Sequence, residues 1–346
     1  MTESLDYRKA GVNIEAAEKA LKGAKQQLRA THTPRVLGRF GGFSGLFDLK
    51  DLGKDPVLVA SCDGVGTKLK LAFQAGIHNT IGQDLVNHCV NDIVCCGARP
   101  LFFLDYLGIG KLEEEVFQGI VEGLALACRQ NGLALLGGET AELPGMYQPG
   151  EYDLAGTIIG CVERDRILDG SRIEPGDVVL GLASTGLHTN GYSLALKALL
   201  EHANMALEDT PPGLSRSLGE ELMAVHRSYG PLALELIDRF DVRGIVHITG
   251  GGFEGNVPRI LPPGVRVELD PSCWKAPPIF ALIQEAGKID QREMYRVFNM
   301  GIGLILICPE DAAAGVIEHC EARDCRAMQI GRCLPRQNEP DIVLTL

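Results

Sequence analysis

Apolar β-branched runs alternate with amphipathic stretches along the whole chain. Glycines, carboxylates and histidines gather at the junctions. Ile14, Ala17, Leu21, Ala24 and Leu28 recur at helical spacing, with Asn13 as N-cap and Lys19, Lys22, Lys25 and Arg29 on other faces. Residues 38–47 follow, with Gly41, Gly42, Ser44 and Gly45 set among aromatics; a backbone flap over a ligand and a plain hairpin turn fit that composition equally. A strand beginning at Val57 runs into Asp63-Gly64-Val65-Gly66-Thr67-Lys68, a tight turn opening a helix. Ile81, Leu85, Cys89 and Ile93, with Val86 and Val90, form one helix face, and Asp84, His88 and Asp92 fall at i, i+4 and i+8 on another. Residues 101–107 predict a strand, 112–128 a helix, and 133–136 a strand ending in Gly137-Gly138-Glu139-Thr140-Ala141-Glu142; 153–162 is a further strand.

Charged residues and a Pro-Gly turn in 163–176 suggest a boundary between one domain, 1–168, and another, 169–346. The second half repeats the style of the first. A strand over 177–184 ends in Thr185-Gly186-Leu187-His188-Thr189-Asn190-Gly191, which opens a helix. Residues 207–218 read as a loop, 220–226 and 232–240 as helices. The strand at Ile245 runs through His247 into Gly250-Gly251-Gly252. Strands over 265–269, 304–308, 328–332 and 341–344, a rigid linker over 271–278 and helices over 279–286 and 312–320 complete an α/β (α+β) pattern.

The strand-end residues suggest phosphate chemistry. Glycines let backbone N–H groups crowd toward an anion, a helix start adds partial positive charge, and Lys68 adds a full one. A carboxylate beside phosphate repels it unless a cation lies between. Asp63 therefore reads as a Mg²⁺ ligand and Lys68 as a phosphate contact; a surface turn with an incidental acid and base is the competing reading. Asp92, at the edge of its helix's apolar face, and Glu139, at a second strand end, extend the oxygen set, while His88 reads as structural. The glycine spacing is neither a Walker A loop nor a dinucleotide fingerprint. His188, at a strand-to-helix turn, suits acid/base work or phosphate contact. His247 fits the same role or a packed core position, and Gly250 to Gly252 fit a backbone anion cradle. These residues together describe a Mg²⁺-ATP-using enzyme.

Composition narrows this by exclusion. The 346 residues, 45% of them hydrophobic, can build more than one core. A net charge of -12 with no basic block argues against nucleic acid and anionic membrane surfaces as partners. The first nine residues are polar and mixed in charge, unlike a signal peptide, and the longest apolar run, near 301–308, is too short to cross a bilayer; a cytoplasmic location is expected. There are eleven cysteines and no C-x-x-C pair. Cys320, Cys325 and Cys333, near His319, match no usual zinc spacing, and Cys62, Cys89, Cys95, Cys128, Cys161 and Cys308 read as buried thiols.

The order and spacing of several motifs resemble the phosphoribosylformylglycinamidine cyclo-ligase (aminoimidazole ribonucleotide synthetase) family over essentially the whole chain. They are Ala10-Gly11-Val12, Gly41-Gly42-Phe43, the Asp63 to Lys68 turn, Val90-Asn91-Asp92, Leu101 to Tyr106, Gly137 to Glu142, His188 with Asn190-Gly191-Tyr192-Ser193, His247 to Gly252, and Met294-Tyr295-Arg296 with Phe298-Asn299. Asn13, often Asp in the family, and Ser44, in a flap often all Gly or Ala, are minor departures. The resemblance implies a two-domain fold with mixed sheets, glycine-rich loops at strand ends, and a homodimer joined through its N-terminal sheets. It implies ATP and Mg²⁺ as cofactors and dehydrative ring closure of formylglycinamidine ribonucleotide through a phosphorylated formyl oxygen. Asp63, Asp92 and Glu139 would hold metal. Gly41, Gly42, Ser44, Gly45 and Lys68 would meet the ATP phosphates. His188 and His247 are the acid/base candidates, and Thr189, Asn190 and Gly250 to Gly252 the substrate contacts. The alternatives are another phosphoryl-transferring member of the same superfamily, acting on selenide or thiamine phosphate, or a catalytically silent nucleotide-binding subunit.

Overall fold

Hydrophobic periodicity organises two compact units in the computed structural model. One lies within residues 1–93 and 100–163, the other within 94–99 and 164–346. The described residues are 14–37 and 45–345, with side chains of the first helix from residue 19 onward. Asn13, Gly41, Gly42 and Ser44 lie outside them.

In the first unit, α1 (Ile14–Arg29) packs on the later helix that carries Glu114, where Lys19 Nζ meets the Glu114 carboxylate at 2.6 Å. The short strands β1 (Val36–Leu37) and β2 (Leu46–Phe47) pair antiparallel. Strand β3 (Pro56–Gly64) alternates exposed and half-buried residues, as an edge strand with one open face should. It leads through a 3₁₀ turn, Gly66–Lys68, into α2 (Leu69–Ala75). There follow α3 (Ile81–Val94), β4 (Arg99–Ile109), α4 (Glu114–Gln130), β5 (Ala134–Glu142) and β6 (Tyr152–Glu163). The strands form one sheet in the order β3-β6-β4-β5, with β3 and β6 antiparallel and β4 and β5 parallel.

Two expectations change here. Residues 137–142 are strand rather than a glycine loop: β5 stays paired with β4 as far as Ile109 opposite Glu142. The reason is a close approach. A Cβ on Gly138 would stand 2.5 Å from the Asp105 carbonyl oxygen, so glycine lets the two strands continue past an irregularity near Leu104. Cys62, expected to be buried, is exposed because it shares the open face of β3 with Leu58 and Ala60.

The second unit is built on a six-stranded sheet, ordered β12-β9-β11-β7-β10-β8 once its strands are numbered along the chain. They are β7 (Val178–Ala183), β8 (Gly244–His247), β9 (Val265–Leu269), β10 (Ile302–Cys308), β11 (Ala327–Pro335) and β12 (Ile342–Leu344). All described pairings are antiparallel except β12 with β9. Every residue of β10 is buried, which is why the chain's longest apolar run falls there. The helices are α5 (Tyr192–Leu196), continued by a π-helical turn, α6 (Leu218–Leu222), α7 (Gly230–Arg239), α8 (Gly252–Asn256), α9 (Pro278–Gly287), α10 (Gln291–Val297) and α11 (Glu310–Glu321). A capping box between Ser217 and Glu220 starts α6. That helix stops at Leu222, so residues 223–226, expected to end a helix over 220–226, are a turn and irregular chain. Among the described residues no helix is long and apolar enough to cross a membrane.

Candidate active site

Each unit gathers its own set of polar side chains. In the first, Asp63 lies near the end of β3, and His88 and Asp92 lie one turn apart on α3. His88 Nε2 stands 2.7 Å from Asp63 Oδ2 and 3.9 Å from Asp92 Oδ2. Ser61 Oγ donates to Asp92 Oδ2 at 3.0 Å, and the Gly64 amide donates to Asp63 Oδ1 at 2.7 Å. One ligand atom from each of Asp63, His88 and Asp92 lies within 4.8 Å of the others. Burial opposes ionisation of Asp63, but the hydrogen bond and charge of His88 outweigh it and hold the carboxyl below its ordinary value. For His88, burial disfavours the cation, yet Asp63, Asp92 and Asp84 together raise its pKa. The site is an acidic pair organised by a buried imidazole. Its two carboxylates suit a hard divalent cation, with His88 orienting Asp63 from behind.

The sequence reading differs from this site at three residues. His88 is part of the set, tied to Asp63 across two elements that periodicity cannot place together. Glu139 does not join it. Glu139 is exposed on β5, opposite Tyr106, and two strands intervene between β5 and β3. At about 4.8 Å per strand, β3 and β5 lie roughly 14 Å apart across the sheet. Lys68 is fully buried, and its ammonium stands 2.8 Å from Asp84 Oδ2, itself buried. Burial lowers the Lys68 pKa against the opposing pull of Asp84. A charge enclosed in this way is part of the fold rather than a donor at the mouth of a loop. Gly45, the described member of the glycine segment, is exposed and close to Leu136.

The second unit builds its set around the turn after β7. His188 takes a left-handed backbone conformation, φ 64°, uncommon outside glycine and asparagine. The Thr185 amide donates to His188 Nε2 at 3.2 Å, which places the proton of a neutral ring on Nδ1. Asn299 clamps the turn: its Nδ2 donates to the Gly186 carbonyl at 2.9 Å, and its Oδ1 accepts from the Gly301 amide at 2.8 Å. Gly303 on β10 leaves room for the His188 ring, since a Cβ there would lie 2.4 Å from His188 Cε1. The ring of His226 stacks on that of His188, centroids 4.0 Å apart and planes 19° from parallel. His226 Nε2 faces His247 Nε2 at 3.2 Å, and its Nδ1 faces Thr189 Oγ1 at 3.2 Å. All three histidines are buried.

The glycine run beside this set is held from within. Asn256 Nδ2 donates to the Thr249, Gly250 and Gly252 carbonyls at 3.3, 3.3 and 2.7 Å. Gly252, at φ 57°, lies so close to the Tyr295 carbonyl that a Cβ would stand 2.0 Å from it. Asn190 Oδ1 would lie 3.3 Å from a Cβ at Gly250, so the Thr189-Asn190 turn and the glycine run are neighbours. Sequence reasoning brought His188, His247, Thr189, Asn190 and Gly250 to one place. It missed His226, which lies in the irregular segment after α6 with no motif around it.

Comparison with known proteins agrees with this two-unit architecture. Residues 44–162 match the AIR synthase related protein N-terminal domain and residues 174–341 its C-terminal domain. A phosphoribosylformylglycinamidine cyclo-ligase of Bacillus cytotoxicus is 49% identical over 327 residues, covering 94% of each chain. That of Myxococcus xanthus is 49% identical over 340 residues, covering 98% of each. Among solved structures, a thiamine-monophosphate kinase from Stenotrophomonas maltophilia superposes with a TM-score of 0.68 at 18% identity, covering 95% of this chain and 96% of that one. The hydrogenase maturation protein HypE in complex with ATP gives a TM-score of 0.66 at 18% identity, covering 96% and 92%. Those two likenesses concern the fold, whereas the 49% identities extend over nearly the full length of both partners; the chain belongs to the AIR synthase family, among its phosphoribosylformylglycinamidine cyclo-ligases.

Proposed function

We propose that this chain catalyses the ATP-dependent dehydrative cyclisation of formylglycinamidine ribonucleotide to aminoimidazole ribonucleotide, releasing ADP and phosphate, in purine biosynthesis. The observation that carries the proposal is near-full-length identity of 49% to proteins named for that reaction. ATP use accords with the ATP complex of a protein sharing the fold.

The chemical problem is a poor leaving group. The formamide oxygen must first take the γ-phosphoryl group of ATP. The amidine nitrogen then attacks the formyl carbon, and the oxygen leaves as phosphate while the ring closes. Relative to substrate, the product lacks that oxygen, one N–H hydrogen and one C–H hydrogen, so two protons must be carried away. The protein supplies placement, worth about 7–11 kcal/mol in favourable cases, together with charge neutralisation and proton handling.

Asp63 and Asp92 are assigned as ligands of Mg²⁺, with His88 and Ser61 orienting them. Bound there, the ion would neutralise charge on the ATP β- and γ-phosphates. Glu139 is left outside this pair. The segment Gly41, Gly42, Ser44 and Gly45 is assigned to the phosphates as backbone donors. His188 is assigned to acid/base work at the formyl end, with Thr189 and Asn190 beside it. His247 is placed one histidine further back, and Gly250 to Gly252 are assigned to the substrate's own phosphate.

A second copy of the chain is the proposed partner, and a cytoplasmic location goes with the reaction. The open face of the first unit's sheet supports the dimer. Leu58 is 56% exposed on β3 and Tyr106 40% exposed on β4, and Ala60 and Cys62 lie on the same side as Leu58. Sedimentation equilibrium should give twice the chain mass, and Leu58→Glu should shift the balance toward the single chain. A monomeric wild type would remove the dimer from the proposal.

The reaction itself is tested by incubating the protein with formylglycinamidine ribonucleotide, ATP and Mg²⁺. ADP release matched by loss of one water from the nucleotide is expected. ADP without water loss would indicate another phosphoryl acceptor. ATP binding with neither product would mean a silent subunit.

A further inference from the structure

The reaction assigned above needs protons moved at the histidine end, and the second unit contains a group that the assignment leaves without a task. His226 is fully buried, in the irregular segment after α6; one hydrogen bond ties that segment to the His188 turn and another ties the end of α6 to α5. Thr185 Oγ1 donates to the Val225 carbonyl at 2.5 Å, and Tyr192 Oη donates to the Leu222 carbonyl at 2.6 Å. A fully buried imidazole needs partners for both nitrogens, and which groups supply them decides what the ring can do. Here both nitrogens face polar atoms, and the ring face covers His188.

The contact between two Nε2 atoms restricts the protons. Two bare nitrogens, or two N–H groups, would repel at 3.2 Å, so one ring donates and the other accepts. The choice fixes the remaining contact. If His226 Nε2 carries the proton, its bare Nδ1 accepts from the Thr189 hydroxyl and His247 keeps its proton on Nδ1. If His247 Nε2 carries it, His226 is protonated on Nδ1 and donates to Thr189 Oγ1. Passing from the first arrangement to the second, Thr189 takes a proton from the reacting side as its own passes to His226 Nδ1, and His226 passes its Nε2 proton to His247 Nε2. The one proton taken up then resides on His247, which keeps its Nδ1 proton and becomes the imidazolium.

We propose that His226 is a positioning residue for this reaction, holding the His188 ring by stacking and carrying the proton link between Thr189 and His247. The proposal rests on the assignment of the His188 turn to the reacting end of the substrate.

His226→Phe keeps a flat ring against His188 and removes both hydrogen bonds. It should lower kcat about 100-fold, the lower end of what positioned proton transfer provides. KM should stay within about threefold, since substrate contacts are untouched. Activity of His226→Gly should rise on adding free imidazole. A His226→Phe enzyme with kcat within threefold of wild type would overturn the proposal, as would a slow, well-folded His226→Gly enzyme that imidazole leaves unchanged. Should either variant fail to fold, the wild type and Thr189→Val decide the question. In ¹⁵N-histidine spectra, Thr189→Val should shift the His226 tautomer balance toward Nε2–H, because the second arrangement loses its acceptor. Identical spectra would refute the link. That measurement needs no turnover, so it stands apart from failure of the assigned reaction, which appears instead as a wild type inactive on formylglycinamidine ribonucleotide.

Discussion

Turnover should fall by more than about 100-fold when Asp63 becomes Asn, with the protein still folded. Asn keeps the size of the side chain and an oxygen toward the Gly64 amide, but it removes the charge that faces His88 at 2.7 Å. Loss of an outer-shell partner of a metal ligand typically lowers affinity or activity about 10–100-fold, and loss of the ligand's own charge should exceed that. Folding is insensitive because the Asp63 side chain is 43% exposed and its ion pair is half solvated, so a change within about 1 kcal/mol is expected. Mn²⁺ titration, with or without ATP, gives a readout independent of turnover: Asp63→Asn and Asp92→Asn should each weaken binding, and Glu139→Gln should weaken it far less. Equal losses at Glu139 and Asp63 would restore the three-carboxylate set that the strand order argues against. Wild-type turnover in Asp63→Asn would take Asp63 out of the site.

The part of that set visible in the sequence is the part made by local periodicity. Asp84, His88 and Asp92 form a row because a helix repeats every 3.6 residues, and Asp63 is marked by the end of a β-branched run. That the row faces Asp63 depends on how α3 packs on the sheet, which no short stretch encodes, and His88 was therefore read as structural. Glu139 stands apart from the Asp63 set for a related reason. Two carboxylates at two apparent strand ends look equivalent along the chain, but the strand order puts β6 and β4 between them. The glycines at 137 and 138 looked like a loop because their reason, close approach to Asp105, lies on the neighbouring strand.

In the second unit the strands were the most legible elements. A run such as Ile302–Cys308, buried along its whole length, is apolar at every position except Gly303. The turn carrying His188 was legible from its glycines and its place between strand and helix. His226 was not, since α6 ends at Leu222 and the irregular segment that follows has neither period nor motif. Its significance comes from three contacts, to His188, Thr189 and His247, all distant in sequence.

Lys68 tests the difference between a motif and its surroundings with the largest expected effect on stability. Along the chain it ends a glycine turn and resembles a phosphate donor; in the fold its ammonium is sealed against Asp84 with both side chains at 0% exposure. Lys68→Met leaves the Asp84 carboxylate buried without its cation, and breaking a pair of this kind destabilises by about 3–5 kcal/mol. Urea unfolding should show that loss as a lower midpoint with an unchanged slope. Adding Asp84→Leu should return most of it, because a buried ion pair replaced by apolar groups of similar volume is often neutral or better. The double variant then separates the two roles at normal stability. Mg²⁺-ATP affinity close to wild type would leave Lys68 as a purely internal charge. A tenfold or greater loss of ATP affinity in a double variant that unfolds at the wild-type midpoint would show that the pair opens to meet phosphate, and would return Lys68 to the site that the sequence assigned it.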